Sequence, residues 1–333
     1  MKNITLDSDK IWNIYDLLCE VNCRMTGTNE TNSEKRLSEK VALLHSVMNV
    51  QRVISGEKNS PKEISSYFRL NRLAYRRFHS KQGFRHFRVS KNGEFSESDV
   101  YYQPDVVSAL IPRYARVLEL GYGQAANLYY LAERHPDAFF CGVDLQPTNR
   151  PHNLSNVRLL KQDYSDLSNF PENAFDVAYA IETIVYSSCK DEIFRQIYRV
   201  LKPGGVLIVY DYSLPKAFEN YSQAQKTAIA LISKGGAGAL IESAAQWEAY
   251  FTLAGFQKRS VTDLSQETLP DLKRLDRKAD HILRRPALAK LVFRLLPYHF
   301  VNNIVLGYLG YDAVRAGMIG YTEWIYEKTG SKQ

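Results

Sequence analysis

The chain has 333 residues, a net charge of +7 and an apolar fraction of 45%, ordinary for a soluble globular protein and ample for a sizeable core. The amino terminus holds no apolar run of signal length, and no stretch reaches the roughly 18 uninterrupted apolar residues of a spanning helix. A cytoplasmic, reducing setting is expected, and the four cysteines (Cys19, Cys23, Cys141, Cys189) form no paired CxxC metal pattern. The 22 tyrosines suit a core or a lipophilic pocket with polar anchors.

Helical spacing runs through residues 8–55, with Leu37, Val41, Leu44 and Val53 on the apolar side and a break at "TGTNETNSE". "NSPKE" then reads as a helix start, with Ser60 as cap and Pro61 in the first turn. Residues 62–92 hold nine basic side chains against the single acid Glu63, so the rest of the chain is about neutral. Such a local field can attract an anion, and it can also be a solvated helix face. A short helix is predicted over residues 103–111.

From Arg116 short apolar runs alternate with helices. "RVLELG", "AFFCGVDL", "VRLLKQDY", "FDVAYAIE" and the run after "KPGG" read as strands, with "NLYYLAERHP" and "CKDEIFRQIYRVL" as helices. This alternation predicts a parallel sheet covered on both faces. "SAAQWEAYFTLAGF" is a further helix, "QKRSVTDLS" a sixth strand and "YTEWIYEKT" a seventh. Residues 214–245 and 266–316 are too long for plain connections and read as apolar-faced helices. With residues 1–100 they are expected to roof the carboxyl end of the sheet, over a catalytic domain spanning 101–333. The second segment could alternatively lie on a membrane surface, but Pro297, Asn302 and Asn303 favour a lid.

The turn "VLELGYGQAANLYYLAERHP" places an acid, two glycines and an alanine where a strand becomes a helix. Gly121 and Gly123 would let backbone approach a ligand, and Ala125 takes the third small position. Asp144 follows 23 residues after Gly121 and can bond both hydroxyls of a ribose. A dinucleotide would use the same features. Glu119, however, would face a cationic amino acid rather than a pyrophosphate, and Asp163 in "KQDYSDL" is placed to accept from an adenine amino group.

Together "VLELGYGQA", "GVDLQP", "KQDYSDL", "FDVAYAIETIVYS" and "RVLKPGGVLIVYDY" resemble the class I S-adenosylmethionine-dependent methyltransferases over residues 116–212. The resemblance implies a Rossmann-like α/β fold with seven strands, six parallel and one antiparallel, carrying a helical amino-terminal extension and helical lid insertions. It implies that Glu119, Gly121 and Gly123 line the methionine part of S-adenosyl-L-methionine. Asp144 would hold the ribose with Leu145 beside the adenine, Asp163 and Tyr164 would flank the adenine, and Ile181 would lie under the sulfonium. Ala125 departs from the usual third glycine.

"FDVAYAIETIVYS", the tyrosine-rich residues 67–87 and the terminal "GYTEWIYEK" are similar to stretches of the sterol and other isoprenoid C-methyltransferases. Methylating an alkene carbon needs no deprotonated nucleophile: the π-bond attacks the methyl and leaves a carbocation. The site must exclude water, hold positive charge against aromatic faces and supply a base for a proton, unless cyclisation traps the cation. Glu182, Tyr186 and His86 are the candidates for base or cation stabiliser; each also has a plain structural reading. A prenyl diphosphate would add an anion for Arg69, Arg72, Arg76, Arg77, Lys81 and Arg85, with Tyr67 and Tyr75 beside its tail and magnesium as an ionic helper. The alternative is an O- or N-methyltransferase of a small natural product, with His79, His86 or His299 as base. Nucleic acid is disfavoured as a partner because "AIETIV" stands where an amino-methylating "NPPY" motif would. Peripheral membrane contact and a homo-oligomer remain open.

Overall fold

The computed structural model describes residues 32–55, 80, 82–148, 150, 152–236, 238–296 and 298–330, with residues 298 and 299 as backbone only. Seven strands form one sheet in the order β3-β2-β1-β4-β5-β7-β6. The strands are β1 (Arg116–Leu120), β2 (Phe139–Asp144), β3 (Val157–Lys161), β4 (Phe175–Ile181), β5 (Leu201–Ser213), β6 (Phe256–Asp263) and β7 (Gly320–Lys328). The first five pair in parallel, while β7 is antiparallel to both β5 and β6, as the terminal segment predicted. β3 stops at Lys161, so Asp163 stands in the loop beyond it rather than at the strand's end.

β1 reads as an unbroken apolar run because Val117, Leu118 and Leu120 are all buried, as a strand covered on both faces requires. Before the sheet come α1 (Asn32–Val47), α2 (Val50–Ile54) and α3 (Tyr102–Ala109). α4 (Ala126–Arg134) and α5 (Lys190–Val200) flank the sheet, the latter burying Ile193, Phe194, Ile197 and Val200 at helical spacing. After β5 come α6 (Gln223–Gly235) and α7 (Ala244–Ala254). α7 starts on a Ser243–Gln246 capping box and ends at Gly255 in the left-handed conformation. Trp247 of α7 stacks on Trp324 of β7 at 4.8 Å, and Phe251 on Tyr326 at 4.0 Å. Full burial of such side chains contributes about 1.5–3 kcal/mol each.

Between β6 and β7 lie α8 (Ser265–Leu283), α9 (Pro286–Leu295) and α10 (Tyr298–Arg315). With α1, α2 and α6 they share a separate apolar core that reaches Val185, Leu214 and Ile319, at the carboxyl ends of β4 and β5 and the entry to β7. A buried ion cluster ties this layer together. Lys40 of α1 reaches Asp276 of α8 at 2.5 Å and Asp312 of α10 at 2.6 Å. Among the described residues no helix is long and apolar enough to cross a membrane.

The charge count over residues 62–92 overstated the local field. Arg88 is fully buried and pairs with Glu97 and Asp271, and Lys91 pairs with Glu267 at 3.0 Å.

Candidate active site

The turn after β1 is built from left-handed backbone: φ is +71° at Gly121, +54° at Gly123 and +56° at Ala125. Gly121 is needed for more than its angle. A Cβ there would stand 2.0 Å from Thr183 Oγ1, so the glycine serves the packing of this turn against the loop after β4. At Gly123 a Cβ would meet only Arg85 Cδ at 3.7 Å, an ordinary contact, so there the positive φ is the requirement. The expected reason, close approach of a ligand, was therefore incomplete for Gly121.

Asp144 closes the turn. Its Oδ2 accepts from the Gly123 N–H and its Oδ1 from the Gln146 N–H, both at 2.8 Å. Two backbone donors hold the carboxylate in one orientation, and each oxygen keeps acceptor capacity for a diol. Burial raises its pKa against the pull of those bonds and of the Arg85 charge. Leu145 beside it is half-buried. Across the crevice, Asp163 Oδ1 accepts from the Ser165 N–H at 2.9 Å, and the Tyr164 hydroxyl donates to the Thr183 carbonyl at 2.9 Å. Tyr164 thus ties the loops after β3 and β4 together.

Glu119 is 2% exposed. Asn127, in the first turn of α4, donates to its Oε1 at 3.5 Å. Its Oε2 and the Tyr179 hydroxyl, both buried, find no partner of hydrogen-bonding geometry among the described residues. Burial pushes the Glu119 carboxyl up to about 8, with Tyr179 and Asn127 acting the other way. A buried acid beside a glycine turn fits a cationic amino group, and Asp144 fits a ribose.

At the carboxyl end of β4, Ile181 is buried and Glu182 adopts φ +51°, a strained conformation for a residue with a side chain. The carboxyl of Glu182 is held by donors on both oxygens. The Phe87 N–H donates to Oε1 and the Tyr212 hydroxyl to Oε2, each at 2.7 Å, and Tyr321 bonds the same carboxyl. Burial nevertheless raises its pKa to about 8. Asp211 behind it is pushed up to about 7, also by burial, although it accepts from the Val185 and Tyr212 N–H groups.

Glu182 opens onto a cavity of about 290 Å³ between the sheet and the helical layer. Its walls include Phe87, Tyr186, Tyr212 and Tyr321 on one side and Leu272, Leu275, Ile304 and Gly307 on the other, with Arg85 and Lys278 among the lining residues. Of residues 181–183, Glu182 lines the cavity, while Thr183 next to it packs against Gly121 and accepts from Tyr164 on the crevice side. Of the sequence candidates, Glu182, Tyr186 and Arg85 line this cavity. His86 does not: it is 2% exposed, with Nδ1 at 3.2 Å from the Phe87 carbonyl and Nε2 at 3.0 Å from Asn127 Oδ1. Burial lowers its pKa. Tyr67, Arg69, Arg72, Tyr75, Arg76, Arg77, His79 and Lys81 lie outside the described residues, as do Cys19 and Cys23. Sequence reasoning missed Tyr212, Tyr321, Thr183 and Asn127. The tyrosines at strand ends in "VYDY" and "GYTEW" were the available signal.

Residues 118–209 match the family described as a methyltransferase domain. The chain carries a class I, S-adenosylmethionine-dependent methyltransferase domain. Sterol 24-C-methyltransferase erg6 of Aspergillus fumigatus is 42% identical over 69 residues, 21% of this chain and 17% of that protein. The chain thus spans about a sixth of the length of that relative. Two solved structures share the fold. The [4+2]-cyclase SpnF superposes with a TM-score of 0.61 at 21% identity, over 82% of this chain and 97% of that one. The geranyl diphosphate C-methyltransferase of Streptomyces coelicolor gives 0.56 at 14% identity, over 81% and 98%.

Proposed function

We propose that the protein transfers a methyl group from S-adenosyl-L-methionine to an alkene carbon of a lipophilic isoprenoid. The observation that carries this reading is an adjacency: Glu182, the carboxylate among the residues that line the apolar cavity, precedes Thr183, which packs on the glycine turn of the acid-lined crevice. The cofactor supplies an electrophilic methyl on a sulfonium. Glu119, Gly121 and Gly123 would hold its amino-acid end, Asp144 its ribose, Leu145, Asp163 and Tyr164 its adenine, and Ile181 would line the reacting end. The aromatic walls Phe87, Tyr186, Tyr212 and Tyr321 exclude water and face the positive charge left on the acceptor. Glu182, as carboxylate, removes a proton from the carbon beside that charge, and the C–H electron pair becomes the new double bond. His86 acts from behind the crevice, through Asn127.

The relatives support a lipid acceptor: one is named for sterol carbon-24 and another structure holds geranyl diphosphate with magnesium. Among the described residues no cluster of His, Cys, Asp and Glu could hold a metal, so magnesium enters this reading only with a diphosphate substrate. Of the cations assigned to a diphosphate, Arg85 is the one among the described residues, and it lines the cavity.

Calorimetry tests the cofactor half: S-adenosylhomocysteine should bind and NADH should not. Labelled cofactor offered with prenyl diphosphates, their alcohols, triterpenes and phenols tests the acceptor half. Label on carbon of an isoprenoid is expected. Label confined to phenol oxygens or amines would overturn the alkene reading and leave the cofactor site standing.

A further inference from the structure

Four groups form a continuous chain behind the crevice: the Phe87 carbonyl, the His86 ring, the Asn127 amide and the Glu119 carboxyl. Its hydrogen-bond grammar is restrictive. A carbonyl only accepts, so His86 Nδ1 must carry a hydrogen. With Asn127 Oδ1 facing Nε2 and Asn127 Nδ2 facing Glu119, Nε2 must also carry one: the ring is an imidazolium, and Glu119 accepts, as a carboxylate does. If the amide turns over by half a revolution, Nδ2 donates to a bare Nε2, and Oδ1 requires a protonated Glu119. With Glu119 ionised in the first, the two arrangements hold the same number of protons and differ only in which end has the mobile one.

Resting on the cofactor reading above, we propose that His86, Asn127 and Glu119 are a cofactor-positioning relay. A cationic amino group arriving at Glu119 moves the shared proton to His86 instead of releasing it to solvent. The step balances. Glu119 gives up a proton, His86 Nε2 gains one, the Asn127 amide turns, and the incoming ammonium finds a carboxylate.

The surroundings agree. Before the amino group arrives, burial favours the turned-over arrangement, neutral at both ends, over the observed amide orientation: it lowers the His86 pKa and raises that of Glu119 to about 8. Glu119 also faces Tyr179 and, more weakly, the Asp144 charge. His86 feels the charges of Arg88, which disfavours its imidazolium, and Asp271, which favours it, and sits edge-on to Phe84 at 5.6 Å. An ammonium beside Glu119 reverses the preference at that end, and only the amide turn leaves every member with a partner. The relay ends on the Phe87 carbonyl, in the peptide unit whose N–H, that of Arg88, donates to Asp271.

S-adenosylhomocysteine is the probe, because it carries the same amino end without the sulfonium. Calorimetric titration at pH 6.5 in buffers of different ionisation enthalpy counts the protons released. Wild type should release close to none, and His86→Gln about one per site, since Glu119 then has no internal acceptor. A purely structural His86 would lower stability or affinity and leave the proton count alone. Nitrogen-15 spectra of wild-type imidazoles give a readout that needs no variant: adding the ligand should convert one buried histidine to the doubly protonated form. Release of about one proton by wild type, or an unchanged His86 signal, overturns the relay while the cofactor site stands. Absence of any binding removes the cofactor reading and the relay with it.

Discussion

Replacing Glu182 with glutamine keeps the side-chain shape and deletes the charge, and the structure sets opposite expectations for stability and activity. The carboxyl titrates near 4.5 in the unfolded chain and near 8 in the fold, chiefly because it is buried. The folded protein therefore binds this proton more tightly between those values. The group's contribution to stability is intact below about pH 4.5, declines as pH rises, and is fully lost above about 8. A shift of that size is worth at most roughly 5 kcal/mol. Against this, the glutamine carbonyl can serve only one side of the carboxyl, and the partner on the other must reorient, which costs about 1 kcal/mol. At pH 5, where about 0.8 kcal/mol of that contribution is already lost, the variant should thus lie within about 0.5 kcal/mol of wild type, and at pH 9 a few kcal/mol above it. Urea unfolding at both values measures the difference, and groups common to the two proteins cancel. Methyl transfer should meanwhile fall roughly 10²–10⁴-fold, the usual range for loss of a general base. The same stability difference at both pH values would show that Glu182 is ionised throughout, and an unchanged transfer rate would remove it as the base.

Two further substitutions probe the turn. Ala125→Gly should be neutral or stabilising by about 0.5–1 kcal/mol in thermal or urea unfolding, because Ala125 sits at φ +56° where a Cβ is unfavourable; destabilisation beyond 1 kcal/mol would mean that the methyl's packing outweighs the backbone. Gly121→Ala should cost about 2–4 kcal/mol and abolish S-adenosylhomocysteine binding, since its Cβ would stand 2.0 Å from Thr183 Oγ1. Near-native stability with intact binding would show that the loop after β4 yields easily.

The sheet was legible because its signals are local. Each strand is a short apolar run bounded by a turn, and the glycine turn, Asp144 and "KPGG" fall at characteristic offsets, so observed and expected strands mostly agree within a residue or two. What escaped depends on partners distant in sequence. Arg88 counted as one charge of a basic patch, yet its backbone N–H and guanidinium both meet Asp271, 183 residues away. Gly121 looked like a ligand-driven glycine because Thr183 is far along the chain and its contact is purely steric. The apolar faces of α8 and α10 were visible at helical spacing, but spacing does not say whether a face meets another helix or a cavity. Tyr212 and Tyr321 were read only as strand residues; what makes them part of the site is that β5 and β7 pair antiparallel, with Tyr212 opposite Tyr321 in the register.

The arrangement of acids decides between the two ligands that a glycine turn and a ribose-binding carboxylate permit. Glu119, Asp144, Glu182 and Asp211 all have raised pKa values, and in each case burial is the first cause. Grouped carboxyls withdrawn from water are destabilising when ionised, and a pyrophosphate beside Glu119 would add to that cost through repulsion. A cationic ligand does the reverse. An ammonium at Glu119 and a positive centre near Glu182 would each lower the pKa of the acid they approach, so binding and ionisation reinforce one another. The strained φ at Glu182 and the buried carboxyl of Glu119 are both unfavourable in the free protein, and a ligand with positive charge at two points, one in the crevice and one at its junction with the apolar cavity, would favour the ionised form of each acid.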